Sequence, residues 1–205
     1  MHTLTEKTRD DLSPKEIKEL LVNGNKRFVE GNMADRNLLE QVKITSKGQF
    51  PHTVVLGCID SRATSEQIFD QGIGDIFNTR IAGNVIDEDV LGSLEFSCKI
   101  AGAKLLLVLG HTHCGAVTAA CNDVRIGHVT SLLNKIQPAV NKVRPLVTDI
   151  TTTESINLVV EENISYSIFE IRERSAILKE MEEKGEIKIV GGIYDIETGI
   201  VKFLS

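Results

Sequence analysis

The sequence predicts an α/β fold with a mainly parallel central sheet, and three observations lead to it. Short apolar runs alternate along the chain with longer stretches of helical periodicity, the pattern of strand–helix–strand units. The clearest run, Leu105 to Leu109, is apolar at every position between Gly102 and Gly110, as expected of a strand buried on both faces rather than one with a wet side. With 205 residues, 41% hydrophobic and 25% charged, the chain fits one globular domain, taken as 1–205.

The elements follow in order. Ser13-Pro14-Lys15-Glu16 opens a helix, with Ser at the cap, Pro in the first turn and Glu at the third helical position. Ile17, Leu20, Leu21 and Phe28 continue it at near-helical spacing, with Gly24 as a weak point or break. Polar sequence up to about Gly48 predicts a loop plus a short helix, giving an amino-terminal helical arm over about 13–45. Thr53 to Cys58, "TVVLGC", reads as a buried strand; a short helix from Ser65 is expected to stop at Gly72, and "DIFNTRIAGN" is a second strand ended by Gly83-Asn84. Val90, Leu91, Leu94, Cys98 and Ile100 mark a helix with Asp87, Glu88 and Asp89 at its start, where the helix dipole favours negative charge. After the Leu105 strand, a helix follows Cys114. "HVTSLLNKIQPAVNKVRPLV" is helical with an interruption at Pro138, and the stretch from Thr151 to Glu186 reads as one long amphipathic helix. "IKIVGGIYDIETGIVKFL" predicts a hairpin broken at Gly191-Gly192 and turning near Glu197-Thr198-Gly199.

Composition excludes several classes. A net charge of -6 argues against nucleic acid as partner, and 4% aromatic residues without Trp argue against a base-stacking surface. No apolar run approaches the ~20 residues of a membrane span, and the charged start of the chain lacks the apolar centre of a secretory signal. The expected location is the cytoplasm, with no membrane partner. Four cysteines make no disulfide framework and include no C-x-x-C pair, so a redox dithiol is disfavoured.

Two segments concentrate chemistry: "CIDSR" at Cys58 to Arg62 and "GHTHCG" at Gly110 to Gly115. Each follows an apolar strand, and ligands of open α/β sheets bind at the carboxyl ends of strands. His111 and Cys114 are spaced across a strand-to-helix turn so that both reach one ion; His113, adjacent to Cys114, leaves the backbone in another direction. Cys58 supplies a third ligand. Thiolate and imidazole donors suit zinc, and three protein ligands leave the open position of a catalytic site. Cys98 and Cys121, in apolar helical stretches, read as core residues. Asp60 faces the same way as Cys58 on an extended backbone. It either accepts a hydrogen bond from a zinc-bound hydroxide or binds the zinc as a fourth ligand in a closed state. Arg62 is placed to hold Asp60 through a two-pronged charge-assisted hydrogen bond.

C-x-D-S-R followed about fifty residues later by H-x-x-C-G resembles the β-class carbonic anhydrases. "LLVNGNKRFVEGN", "GDIFNTRIAGNV", "GSLEFSCKIAGAKLLLVLGHTHCGAV" and "VGGIYDIETGIVKFL" extend the resemblance from about Pro14 to Leu204. It implies a four-stranded parallel sheet with an added fifth strand and flanking helices. It implies Zn2+ on Cys58, His111 and Cys114, an Asp60–Arg62 dyad, and reversible hydration of carbon dioxide to bicarbonate and a proton by zinc-bound hydroxide. It points to Gln49 as an amide donor to substrate, to Phe77 as an apolar pocket residue, and to Phe96 where some members carry Tyr. Gly115 would let the chain turn tightly and offer its N–H near the site. A homodimer or a dimer of dimers is implied, with partner residues lining the site. Ala63-Thr64-Ser65 and Asn78-Thr79 depart from the family pattern. The alternatives weighed are hydrolysis of carbonyl sulfide or carbon disulfide at the same zinc, and a zinc- or bicarbonate-binding regulatory protein without turnover.

Overall fold

The computed structural model describes residues 3–204; Met1, His2 and Ser205, included in the 1–205 span taken as one domain, lie outside the described residues. A short helix α1 (Glu6–Asp10) and the arm helices α2 (Pro14–Val29) and α3 (Leu38–Thr45) precede the sheet. Strand β1 (Thr53–Gly57), helix α4 (Ser65–Ile68), strand β2 (Ile76–Arg80), helix α5 (Glu88–Glu95), strand β3 (Leu105–His111) and helix α6 (Gly115–Cys121) form the half that carries both motifs. Helices α7 (Val129–Asn134), α8 (Gln137–Val143), α9 (Thr153–Arg174) and α10 (Ala176–Glu183) lead to strands β4 (Lys188–Tyr194) and β5 (Val201–Phe203).

The sheet has the order β2-β1-β3-β4-β5. All neighbours are parallel except the antiparallel β4–β5 pair, so the predicted parallel sheet with an added strand is what forms. Its side chains divide with the two-residue period of a strand. Val54, Leu56, Leu106 and Val108 join the layer containing Val160 and Ile164 of α9. Val55, Leu105, Leu107 and Leu109 face Ile17 and Leu21 of α2 and Phe69 beyond α4. β1 and β3 are adjacent and in register, Gly57 opposite Leu109. Cys58 and His111 therefore leave the same edge of the sheet.

Several boundaries differ from expectation. Gly24 does not break α2, which continues through it; a Cβ there would lie 1.8 Å from the Phe69 carbonyl oxygen, so the glycine admits a close backbone approach. The expected break at Pro138 falls earlier, around Lys135-Ile136, and Pro138 sits in the first turn of α8, where its missing N–H is harmless. The long helix divides at Ser175, whose backbone is extended and whose hydroxyl accepts from the Leu178 N–H; it donates in turn to Glu95 Oε1 at 2.6 Å. This cap ends α9 and starts α10 where the apolar periodicity shows no interruption. Helix α4 stops at Ile68 rather than running to Gly72. Gly191-Gly192 is no break: both lie inside β4, and a Cβ on Gly191 would come within 2.8 Å of Ile164 on α9.

Candidate metal centre

Cys58, His111 and Cys114 converge, each buried, with ligand atoms all within 4.8 Å of one another. Cys58 comes from the residue after β1, His111 is the last residue of β3, and Cys114 caps α6. The His111 Nδ1 lies 2.9 Å from the Thr112 carbonyl. A carbonyl only accepts, so Nδ1 carries the proton and Nε2 presents a lone pair. That Nε2 is buried and has no hydrogen-bond partner among the described residues. A buried acceptor left without a donor is costly, and a cation between it and the two sulfurs would satisfy it. The donor set of two thiols and one imidazole suits zinc.

The electrostatics agree. A hydrogen bond from the Cys114 thiol, together with the backbone N–H groups of Gly83 and Asp60, outweighs burial and pulls Cys58 down to about 4. Cys114 is pushed up, first because its proton is held on the Cys58 sulfur and second by burial. One thiolate and one thiol thus share a proton, which a cation would displace. Burial lowers His111, but the Cys58 sulfur beside it and the Thr112 carbonyl raise it further.

Asp60 is gripped by Arg62 at three points: the backbone N–H to Oδ1 at 3.0 Å, Nε to Oδ1 at 2.9 Å and Nη2 to Oδ2 at 2.7 Å. This fork holds the Asp60 carboxyl well below the usual carboxylate range despite partial burial. The carboxylate stands at the centre's edge, its Oδ2 3.8 Å from His111 Nε2. Arg80, which sequence reasoning did not single out, fixes the backbone of this segment: Nε donates to the Cys58 carbonyl at 2.8 Å and Nη2 to the Asp60 carbonyl. His113 takes a left-handed backbone (φ 55) and turns outward, with Nε2 3.3 Å from Glu197. Spacing alone had favoured His111 over it.

The remaining expected residues are not brought to the cluster within one chain. Gln49 is exposed and precedes β1, so the length of that strand, about 16 Å, separates it from Cys58. Phe77 pairs with Val54 near the amino end of β2. Phe96 follows α5 in a π-helical turn, Phe96–Ile100, and lines a surface groove with Phe77. All three belong to the opposite end of the sheet. Gly115 has room on its side-chain side, a Cβ meeting nothing within 4 Å, and the left-handed turn falls on His113 instead. The segments that depart from the family pattern serve local structure. Ala63 is buried in the α2-side core, Thr64 is the cap residue of α4, and the Asn78 amide donates to Glu66 at 2.7 Å. Cys98 and Cys121 are buried core residues, and burial pushes the Cys98 thiol up to about 12.

Comparison with known proteins places the chain in one family. The family model described as carbonic anhydrase matches residues 53–201. Carbonic anhydrase 2 of Mycobacterium tuberculosis is 34% identical over 185 residues, 87% of each chain. The β-carbonic anhydrase CafA of Aspergillus fumigatus superposes with a TM-score of 0.72 at 27% identity, covering 82% of this chain and 81% of that one. A tetrameric β-carbonic anhydrase of Sordaria macrospora has the same fold, with a TM-score of 0.74 at 23% identity over 80% of this chain and 85% of the other.

Proposed function

Since the chain belongs to the β-class carbonic anhydrases and is thereby a carbonate dehydratase, we propose that Cys58, His111 and Cys114 hold a zinc ion and that carbon dioxide and water are converted there, reversibly, to bicarbonate and a proton. The observation that carries the metal reading is the partnerless, buried Nε2 of His111 with the sulfurs of Cys58 and Cys114 around it. Zinc, when bound, supplies Lewis acidity that makes water a usable nucleophile near neutral pH.

The chain's own residues do the rest. Asp60, kept ionised by the Arg62 fork, accepts a hydrogen bond from the attacking water and so turns a lone pair toward the carbon. Arg62 holds that carboxylate in one orientation, and Arg80 holds the peptide that carries it. Burial of both sulfurs and the imidazole limits bulk water around the ligands. Gln49 of a second copy donates its amide N–H to the carbon dioxide oxygen on which negative charge develops, and Phe77 and Phe96 of that copy form an apolar wall. The assembly is therefore a homodimer or a dimer of dimers, and Gly115 lines the site from the start of α6. The proton released by the reaction passes to buffer. Nothing in the structure favours a sulfur-containing substrate, because Ala63, Thr64 and Asn78 are occupied in holding α4 and β2.

The test is zinc content together with stopped-flow carbon dioxide hydration. Wild-type protein is expected to carry about one zinc per chain and to hydrate carbon dioxide. Cys58→Ser is expected to lose both. Equal rates for the two proteins at alkaline pH in excess zinc would overturn the proposal.

A further inference from the structure

The metal-ligand segment of β1 is held from the far side of the molecule by α9. Between Ile81 and Val85 the chain makes a turn in which two successive residues, Gly83 (φ 69) and Asn84 (φ 44), are left-handed. The turn presents the Gly83 N–H to the Cys58 sulfur at 3.4 Å. Two side chains on one face of α9 fasten it. Asn163 Nδ2 donates to the Gly83 carbonyl at 2.8 Å, and Ser167 Oγ donates to the Asn84 carbonyl at 3.0 Å. Both are buried in a helix face that also holds Val159, Val160, Ile164 and Ile171. They supply donors to two carbonyls of the turn, yet the Asn163 amide is only half satisfied in doing so. The second polar atoms of this pair of amides, Asn163 Oδ1 and Asn84 Nδ2, are buried and without a hydrogen-bond partner among the described residues, an arrangement that costs free energy relative to apolar side chains of the same shape.

We infer that Asn163 and Ser167 are positioning residues for the metal centre, which lock the Gly83–Asn84 turn so that its N–H stays aimed at the Cys58 sulfur. The inference rests on the proposed metal role of Cys58. Two thiolate ligands cancel the formal charge of a divalent cation and weaken its Lewis acidity. A hydrogen bond to one sulfur draws charge away from the metal and restores part of it, and groups one step removed from a metal tune it in this way. The peptide donor to the Cys58 sulfur thus depends on a helix that contributes no ligand.

The experiment compares cobalt-substituted wild type with Asn163→Ala and Ser167→Ala. Loss of the lock is expected to move the sulfur-to-cobalt charge-transfer band to lower energy and to raise the pH at which hydration reaches half its maximum. Zinc affinity, measured by competition with a chromophoric chelator, is expected to fall on the order of 10-fold. A merely structural role would lower the melting temperature and leave the band in place. If Asn163→Ala does not fold, Ser167→Ala decides alone. An unchanged band and pH midpoint in the folded variants overturn the inference while leaving the metal reading intact. Absence of any charge-transfer band in wild-type protein overturns both.

Discussion

Asp60 sits between two attractions. Its carboxylate is forked by Arg62, yet Oδ2 is only 3.8 Å from the imidazole nitrogen that faces the two sulfurs. Arg62 is the stronger claimant in this structure because it offers three donors to one carboxylate, a geometry that charge and shape both favour. Asp60→Asn keeps the size of the side chain but removes the charge and one acceptor. Hydration is expected to fall on the order of 100-fold, with zinc content unchanged. Undiminished rates at equal zinc content would remove Asp60 from the machinery. At this scale the sequence was most legible where chemistry is dense: two cysteines and a histidine at strand tips have few uses that suit a buried site. Asn163 and Ser167 were not legible. On a helix of alternating polarity a single polar residue looks like part of the wet face, and only the fold shows that this one points inward. Arg80 was missed for a related reason, since its partners are backbone carbonyls, which leave no mark in sequence.

Among the elements, the amino-terminal arm depends on one buried charge. Asp70, after α4, is fully buried; it accepts from Arg27 of α2 at 2.5 Å, from Arg36, and from the Ala34 N–H. Burial raises its carboxyl pKa, but these partners together bring it below the ordinary value. A carboxyl depressed in the folded state stabilises the fold fully above its unfolded pKa of about 3.9. That contribution is lost as pH falls through the lower folded value. Asp70→Asn is a clean probe, because Asp70 is left-handed (φ 47) and Asn tolerates that backbone. The variant is expected to be about 3 kcal/mol less stable than wild type to urea at pH 7, and the gap should close in strong acid. A gap that persists unchanged at low pH would show that the ion pairs do not hold the arm. The caps of α2 and the strands β1 and β3 were readable because their signals are local. The division of α9 from α10 and the continuity of β4 through Gly191-Gly192 were not, because a serine bonded to Glu95 and a glycine pressed against Ile164 are decided by distant parts of the chain.

The residues assigned to the proposed site lie at both ends of the sheet. The cluster of Cys58, His111 and Cys114 lies at the carboxyl end, whereas Gln49, Phe77 and Phe96 belong to the amino end. Several of the exposed apolar side chains belong to that second end. Ile100 is 73% exposed and Phe96 55%, and on α3 Leu39 is 75% exposed, with Leu38, Val42 and Ile44 exposed as well. Contiguous exposed apolar surface is common at interfaces between chains. Sequence similarity named the residues, but no spacing along the chain says that one copy cannot bring them together; that follows only from the length of β1. In the proposed dimer, two copies related by a two-fold axis would give two equivalent sites, each built from one chain's ligands and the other's Gln49. Complementation separates the cases. Gln49→Ala and Cys58→Ser are each expected to be nearly inactive as homodimers. A dimer with one chain of each kind, isolated by two different affinity tags, contains one site with both defects and one with neither. It should recover about half the wild-type rate. Were Gln49 to act on the metal centre of its own chain, each site of the mixed dimer would keep one defect, and activity would stay at the level of the parents.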